Sequence, residues 1–178
     1  MRKGVIIQAS SRSKGNTFKM VSFLQELTGF EVIDLNQKKI NHFDYDFKNQ
    51  NDGFNALFKT IVQNYETIVF ATPIYWYTMS GLLKVFIDRI SDFLHIEKDF
   101  GRLLRGKQMA VLSCSNEDKL FEGFTMPFTE TANYLGMQFI GHIHTWIEND
   151  EIPTEVKTNI REFVAKQLNS LTNKQLNN

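Results

Sequence analysis

Hydrogen-bond donors are concentrated in one short stretch near the start of the chain, QASSRSKGNTFKM at residues 8–20. The stretch follows the apolar run GVII and leads into a helical pattern, so it connects a strand to the first turn of a helix. A helix N-terminus carries unpaired N–H groups and a partial positive charge, and it therefore favours an anion. Glycine lets the backbone turn its amides inward. The residues predicted to bind a phosphate monoester are Ser10, Arg12, Gly15, Asn16 and Thr17.

A simpler interpretation of this stretch is that Asn16 or Thr17 only caps the helix. A cap explains one of these residues but not a cluster that also includes Ser10, Arg12 and Ser13. Two better-known phosphate motifs, G-x-x-x-x-G-K-S/T and G-x-G-x-x-G, do not occur in the chain. Neither a P-loop nucleotidase nor a dinucleotide fingerprint is therefore indicated. The pattern favours a mononucleotide ligand.

Aromatic residues follow the third apolar run of the chain, in the sequence ATPIYWYTMSG. Three consecutive aromatic side chains do not all fit into a core from a strand or a turn, so at least one is expected to be exposed. An exposed aromatic ring beside a phosphate site suits a flat ring system. The predicted ring-binding residues are Pro73, Ile74, Tyr75, Trp76 and Tyr77. The alternative is that Trp76 packs over the next helix as hydrophobic cover.

A third polar turn, SCSNED at residues 113–118, follows the fourth apolar run. Its candidate ligand-binding residues are Ser113, Ser115 and Asn116. Cys114 is the only cysteine, so no intramolecular disulfide can form, which fits the cytoplasmic location that we predict. No histidine lies near Cys114 in sequence. A cysteine at the end of a strand is more often a small buried hydrophobe than a nucleophile.

Two histidines, His142 and His144, alternate within an apolar run that reads as a strand, so they are predicted to share one face. A zinc site needs a further ligand, and none is evident, so a solvated or hydrogen-bonded pair is expected instead of a metal centre. In the predicted third helix, Lys84 and Asp88 stand four residues apart and Arg89 follows. This pattern predicts ion pairs on the helix.

The elements that must position these residues are strands and helices that alternate along the chain. The predicted strands cover residues 5–9, 30–35, 67–71, 107–114 and 139–147. The predicted helices cover residues 17–27, 54–62, 80–94, 121–135 and 155–168. Pro127 suggests that the fourth helix is irregular or split. The alternation indicates an α/β protein with a mostly parallel sheet, in which ligands bind at the carboxyl ends of the strands.

Length and charge narrow the class of protein further. The 178 residues favour a single domain, with a polar tail from about 170 to 178 that is expected to fray. The formal net charge is zero, so no global field attracts nucleic acid or an anionic membrane surface. No apolar run approaches the length of a membrane span, and the one at the start of the chain is too short for a signal peptide.

Two motifs at this spacing resemble those of the flavodoxin-like NAD(P)H-dependent FMN and quinone reductase family. SSRSKGNT at residues 10–17 is similar to the family pattern S-x-R-x-x-G/S-N-T. PIYWYTMSGLLKVFIDR at residues 73–89 is similar to P-x-Y-x-x-x-x-S/T-x-x-L-K-x-x-x-D-R. The stretch YLGMQFIG, residues 134–141, resembles the family's approach to its last strand. One departure is Ala9, which stands where the family often has a glycine before the first serine.

The resemblance implies a flavodoxin-like three-layer sandwich around a five-stranded parallel sheet of order 2-1-3-4-5. It implies FMN as the cofactor, with Ser10, Arg12, Asn16 and Thr17 around the phosphate. Residues 73–77 would lie along the isoalloxazine, and the 113–118 turn would close its other side. NAD(P)H would reduce the flavin at N5, which would then reduce a quinone, a free flavin, or a nitro or azo compound. No side chain is expected to act as a catalytic residue, because the flavin carries the chemistry.

The family also suggests a homodimer or tetramer, with the helix at residues 80–94 commonly lining the dimer interface. Two other classes of protein remain open at this point. A flavodoxin-type electron carrier has the same fold without a substrate of its own, although flavodoxins tend to be strongly acidic and this chain is neutral. A flavin-free regulatory domain is the third interpretation.

Overall fold

The computed structural model describes residues 3–168; the tail predicted to fray, about 170–178, lies outside these residues. The strands are β1 (Gly4–Gln8), β2 (Glu31–Asp34), β3 (Thr67–Tyr75), β4 (Thr78–Met79), β5 (Gln108–Ser115) and β6 (Gln138–Trp146). The helices are α1 (Asn16–Thr28), α2 (Gly53–Asn64), α3 (Gly81–His95), α4 (Lys98–Arg102), α5 (Met126–Leu135) and α6 (Thr154–Phe163). A π-helical turn at Val164–Leu168 extends α6.

The five parallel strands form one sheet in the order β2-β1-β3-β5-β6. This is the predicted order 2-1-3-4-5, because β4 pairs only with the end of β3, antiparallel to it. The order reverses between β1 and β3, where Val5 lies opposite Ile68. A crevice forms at such a switch point, at the carboxyl ends of the strands. The sheet thus brings the loops that follow β1, β3 and β5 to one edge.

Side chains alternate between the two faces of the sheet, and each face buries a separate hydrophobic core. Val5 and Ile7 of β1 point toward α2, α3 and α5, whereas Ile6 points toward α1 and α6. All three are fully buried. This alternation confirms the predicted three-layer sandwich, and full burial on both faces explains why the strands read as continuous apolar runs.

Phenylalanine dominates the core on the α2 and α3 side of the sheet. Phe58 and Phe93 have ring centroids 4.4 Å apart, and Phe54 meets the edge of Phe86 at 5.2 Å. Each ring is at most 2% exposed, and burying one stabilises the fold by roughly 1.5–3 kcal/mol. This cluster fixes α3 against the sheet, and so fixes the place where α3 begins, beside the crevice.

The fourth predicted helix, residues 121–135, is too long. Helix α5 begins only at Met126, and Pro127 lies in its first turn, where the missing N–H costs nothing. The preceding residues 116–125 are irregular. Phe121 and Phe124 mimic helical spacing in the sequence, but they pack from a loop against Tyr77 and Phe128 respectively.

Asp88 and Arg89, the last two residues of the motif at residues 73–89, lie side by side in α3, but Asp88 faces the surface and Arg89 faces the interior. Lys84 and Asp88 form the predicted ion pair at 2.6 Å, and both side chains are exposed. Arg89 also forms an ion pair within the helix, to Asp92, as predicted, but it is 1% exposed and points inward. Its guanidinium donates to Asp52 Oδ2 at 2.6 Å and to Asp92 Oδ2 at 2.9 Å.

Arg89 also fastens the long connection between β2 and α2. Its two terminal nitrogens donate to the backbone carbonyls of Asn41 at 3.0 Å and Asn49 at 2.9 Å. Asp52, which accepts from Arg89, also caps α2 by accepting from the Phe54 amide at 2.9 Å. Burial raises the pKa of Asp52, but these hydrogen bonds outweigh it and the net pKa lies below the ordinary value. One guanidinium therefore holds residues 41–52 onto α3.

None of the helices within residues 3–168 is both long and apolar enough to cross a membrane.

Candidate functional site

A cavity of about 480 Å³ opens at the carboxyl edge of the sheet, between the loops after β1, β3 and β5. Its volume is in the range typical of small-molecule sites. Every predicted site residue except Ser113 lines it: Ser10, Arg12, Gly15, Asn16, Thr17, Pro73, Ile74, Tyr75, Trp76, Tyr77, Ser115 and Asn116. Four further residues line it: Cys114 and Glu117, which lie in the polar turn at residues 113–118, and Lys119 and Phe121, which the sequence did not indicate.

The start of α1 is uncapped. Its N-cap residue is Gly15, with extended backbone, and no side chain accepts a hydrogen bond from the first turn. The same turn has no acidic residue. In contrast, Asp52 caps α2 and Ser80 caps α3. The interpretation that Asn16 or Thr17 merely caps the helix is therefore wrong, and the first-turn amides remain available to an anion.

Side chains of the same loop surround this helix terminus. Ser10 and Thr17 are buried, at 4% and 2% exposure, whereas Arg12 is exposed along the cavity rim. The amide of Arg12 donates to the Ser10 hydroxyl at 3.3 Å. Ser13 turns away, and its hydroxyl accepts from Asn36 Nδ2 at 3.1 Å, near the end of β2. The loop thus presents two hydroxyls, one guanidinium and the free amides of α1 to the cavity.

The aromatic stretch after β3 is a tight hairpin. Ile74 pairs with Met79 and Tyr75 pairs with Thr78, which leaves Trp76 and Tyr77 as a two-residue turn. Both turn residues have positive φ, 48° and 68°. Trp76 is 90% exposed, so the interpretation of this residue as hydrophobic cover over α3 is wrong. The hairpin forms part of the cavity rim. This agrees with the expectation that at least one of its aromatic residues is exposed.

Ser113 is the one predicted site residue that stays out of the cavity. Because β5 continues to Ser115, alternation points the Ser113 side chain toward the α5 face of the sheet. It is fully buried, and its hydroxyl lies 2.8 Å from His142 Nε2 and 2.9 Å from His144 Nδ1. This arrangement confirms that the two histidines form a hydrogen-bonded pair.

Hydrogen bonds connect the two histidines to Glu117 in the cavity wall. Burial, with a smaller contribution from His144, lowers the pKa of His142 to about 4, so this ring is neutral at neutral pH. The Ser113 hydroxyl links His142 Nε2 to His144 Nδ1. His144 Nε2–H donates to the backbone carbonyl of Glu117 at 3.0 Å. The chain of hydrogen bonds thus holds the loop that follows β5.

A bulge in β6 determines on which face of the sheet His142 and His144 lie. Phe139 lies opposite Met109, but the next pair is Gly141 opposite Ala110, so Ile140 has no partner. Gly141 has φ of 133°, and a Cβ atom there would lie 3.2 Å from the Phe163 ring. Glycine is therefore required at this position. Within residues 3–168, no group of three or more His, Cys, Asp or Glu side chains is placed to hold a metal ion.

Cys114 lines the floor of the cavity as an unreactive thiol. It is 3% exposed, and burial raises its pKa to about 11, although hydrogen bonding by Thr145 and Thr17 opposes the shift. The thiolate is the nucleophilic form of cysteine, so a thiol with this pKa is inert at neutral pH. The prediction of a small buried hydrophobe is confirmed.

Two residues missed in the sequence, Lys119 and Phe121, belong to the irregular segment before α5. Phe121 meets the ring of Tyr77 edge to face, with centroids 4.7 Å apart, and Lys119 Nζ lies 4.9 Å from the centre of the Phe121 ring. These contacts join the loop after β5 to the hairpin after β3. The signal in the sequence was Pro127, which marks where the helix starts.

The donors and the cavity shape fit a nucleotide with one phosphate and a flat ring. The uncapped start of α1, the aromatic hairpin and the polar turn at residues 115–117 all line the cavity. A parallel sheet in this order, with a phosphate-binding loop after its first strand, defines the class of flavodoxin-like proteins.

Comparison with known proteins identifies the family within this class. Residues 2–151 match the family described as NADPH-dependent FMN reductase. The chain therefore belongs to that family of NAD(P)H-dependent FMN oxidoreductases, with FMN and NAD(P)H as its cofactors. YwqN of Bacillus subtilis, assigned as an NAD(P)H-dependent FMN-containing oxidoreductase, is 29% identical over 153 residues, which cover 79% of this chain and 83% of YwqN.

Solved structures support the same fold. The Trp repressor binding protein of Bacillus subtilis has a TM-score of 0.72 at 25% identity, covering 91% of this chain and 97% of that one. An FMN-dependent NADH-azoreductase from Bacillus anthracis, solved in complex with FMN, has a TM-score of 0.67 at 17% identity. The match covers 97% of this chain and all of the azoreductase, and at this identity it supports the fold alone.

Proposed function

We propose that the cavity binds FMN with its phosphate at the start of α1 and its ring beside the β3–β4 hairpin. The observation that carries this proposal is the uncapped, acid-free first turn of α1, which lies next to Arg12 and the buried hydroxyl of Thr17. A phosphate dianion would accept hydrogen bonds from all three. Ser115 and Asn116 form the opposite rim of the cavity and would contact the ring or the ribityl chain.

We further propose that the protein reduces a small acceptor by two electrons. Bound FMN supplies the redox chemistry, taking a hydride from NAD(P)H and passing it to the acceptor. With a quinone, the hydride and one proton from water give the hydroquinone, and NAD(P)⁺ leaves. The residues of this chain bind and orient the cofactor and the reactants, and they exclude water. None of them needs to form a covalent bond. The acceptors considered are quinones, free flavins, and nitro or azo compounds.

Anaerobic mixing of the FMN-loaded protein with NADH or NADPH tests this function. The flavin absorbance band should bleach rapidly with at least one of the two nucleotides, and added quinone should restore it. A flavin that stays oxidised with both nucleotides, yet accepts electrons from a separate reductase, would instead identify an electron carrier. The same experiment gives the nucleotide preference.

A further inference from the structure

The loop after β5 is attached to the neighbouring strand by one histidine. Residues 115–117 of this loop region line the cavity. Within residues 3–168, and apart from local bonds to Ser115, the one hydrogen bond that links residues 116–120 to another element runs from His144 Nε2 to the Glu117 carbonyl, at 3.0 Å. The Ser115 hydroxyl only closes the turn on itself, since it accepts from the Glu117 amide at 3.2 Å and donates to the Glu117 carbonyl at 2.7 Å. His144 therefore determines where the turn lies relative to β6.

Both nitrogens of the His144 ring have a partner, so the ring has a single orientation. Nδ1 lies 2.9 Å from the Ser113 hydroxyl, at the opposite end of the ring from Glu117. Ser113 is fully buried, and its hydroxyl also lies 2.8 Å from His142 Nε2. A carbonyl oxygen only accepts hydrogen bonds, so the contact to Glu117 requires the proton on Nε2. The inner end of His144 is thus fixed in the interior, and its outer end holds the loop.

Strand register brings His144 to this place. His144 lies opposite Ser113 in the pairing of β5 with β6, after the bulge that Gly141 permits. The histidine is half-buried, and it is not one of the residues that line the cavity. Any effect of His144 on a bound molecule therefore passes through the turn at residues 115–117.

We propose that His144 is a positioning residue for the cofactor, because it holds the Glu117 carbonyl and so keeps the turn at residues 115–117 closed over bound FMN. This inference rests on the proposed function, in which Ser115 and Asn116 contact the flavin ring or the ribityl chain. A turn that opens more often lets the flavin leave faster. Loss of one such hydrogen bond changes an equilibrium constant by about two- to tenfold.

The rate of FMN release gives the first test. His144→Phe keeps a ring of similar size but removes the donor, so the dissociation rate constant of FMN should rise about two- to tenfold. His144→Gln supplies an amide donor and should stay within about twofold of the parent. His42→Phe, at an exposed position after β2, is the matched control and should behave like the parent. Stopped-flow flavin fluorescence measures all four proteins. Equal release from His144→Phe and His144→Gln, whether fast or parental, would overturn the proposal.

Release of riboflavin shows which contacts the variant has lost. The turn is proposed to contact the ring or the ribityl chain and not the phosphate, so His144→Phe should speed the release of riboflavin and of FMN by the same factor. A faster release of FMN alone would place the damage at the start of α1 and would contradict the role of His144.

Limited proteolysis of the full chain, before FMN is added, reports on the loop itself. Lys119 and Lys48 are both exposed, but only Lys119 is in the loop that His144 holds. Trypsin should cut after Lys119 faster in His144→Phe than in the parent, and it should cut after Lys48 at the parental rate. Parental cutting after Lys119 would show that His144 does not hold the loop. Faster cutting at both sites would show a general loss of stability. Either result overturns the proposal.

These measurements separate failure of this inference from failure of the proposed function. If the parental protein does not bind FMN, the proposed function fails, and the role of His144 in holding the flavin fails with it. If the parent binds FMN and His144→Phe releases it at the parental rate, the proposed function stands and only the assignment of His144 is wrong.

Discussion

Arg12 is the residue whose charge the phosphate assignment depends on most directly. We expect Arg12→Ala to weaken FMN binding by about tenfold, because it removes a charge-assisted contact worth roughly 1.5 kcal/mol at an exposed position. Lys14→Ala is the matched control: Lys14 is in the same loop, has the same charge and does not line the cavity. Flavin fluorescence titration measures both.

A titration with riboflavin separates the effect of contacts to the phosphate from the effect of contacts to the ring. It lacks the phosphate, so the parent and Arg12→Ala should bind it equally, and the parent should bind it less tightly than FMN. An equal loss of affinity for riboflavin and FMN in Arg12→Ala would contradict the placement of the phosphate at the start of α1.

His142 predicts how stability depends on pH. Its pKa is lowered to about 4 in the folded protein from an ordinary value of 6.5, so the unfolded chain takes up the proton first. Neutral His142 therefore makes its full contribution to the free energy of unfolding above pH 6.5, and this contribution is lost as pH falls from 6.5 to 4. At pH 5 the loss should be about 1–2 kcal/mol.

Urea unfolding at pH 7.5 and pH 5 measures this loss. His142→Gln keeps a hydrogen-bonding group near Ser113 but does not titrate, so its free energy of unfolding should fall less between the two values of pH. His42→Gln, at an exposed position, should behave like the parent. Equal losses in the parent and in His142→Gln would assign the pH dependence to other groups.

At the scale of elements, the cluster around Arg89 joins α3 to the connection that precedes α2. Arg89→Met leaves the buried carboxylates of Asp52 and Asp92 without their partner, which costs about 3–5 kcal/mol. Lys84→Met on the same helix removes only an exposed pair and should cost less than about 1 kcal/mol. Chemical unfolding of both variants gives the comparison.

Limited proteolysis shows whether the effect of Arg89 is local. Loss of the two bonds to backbone carbonyls should free residues 41–52, so trypsin should cut after Lys48 faster in Arg89→Met than in Lys84→Met. Similar cleavage and similar unfolding energies in the two variants would mean that the cluster does not hold this connection.

At the scale of the whole molecule, the sheet was predictable because buried parallel strands are continuous apolar runs and helices carry apolar stripes. The start of α5 was not, because Phe121 and Phe124 fit a helical period while they pack from a loop. The inward turn of Arg89 was also hidden, since its partner Asp52 is 37 residues away. Such a pairing becomes visible only once the chain is folded.

The candidate site was predictable to a similar degree. The loops after β1, β3 and β5 follow from the topology, and all but one of the predicted residues line the cavity. Ser113 was misplaced because it was assigned to the polar turn, although it lies inside the predicted strand at residues 107–114, where alternation decides on which face a side chain lies. The Trp76–Tyr77 turn was missed as a hairpin because its residues contradict the preference of that turn for Asn-Gly.

The anion site that we propose at the start of α1 has an evolutionary consequence, because its central donors are main-chain amides. Every residue except proline supplies such a donor, so most substitutions in this turn leave the anchor intact. The rim is built differently, since the side chains of large aromatic residues such as Trp76 and Phe121 line it. On this proposal, substitutions at the rim would change which acceptor binds while the cofactor stays bound, so selection could explore new substrates without loss of the cofactor.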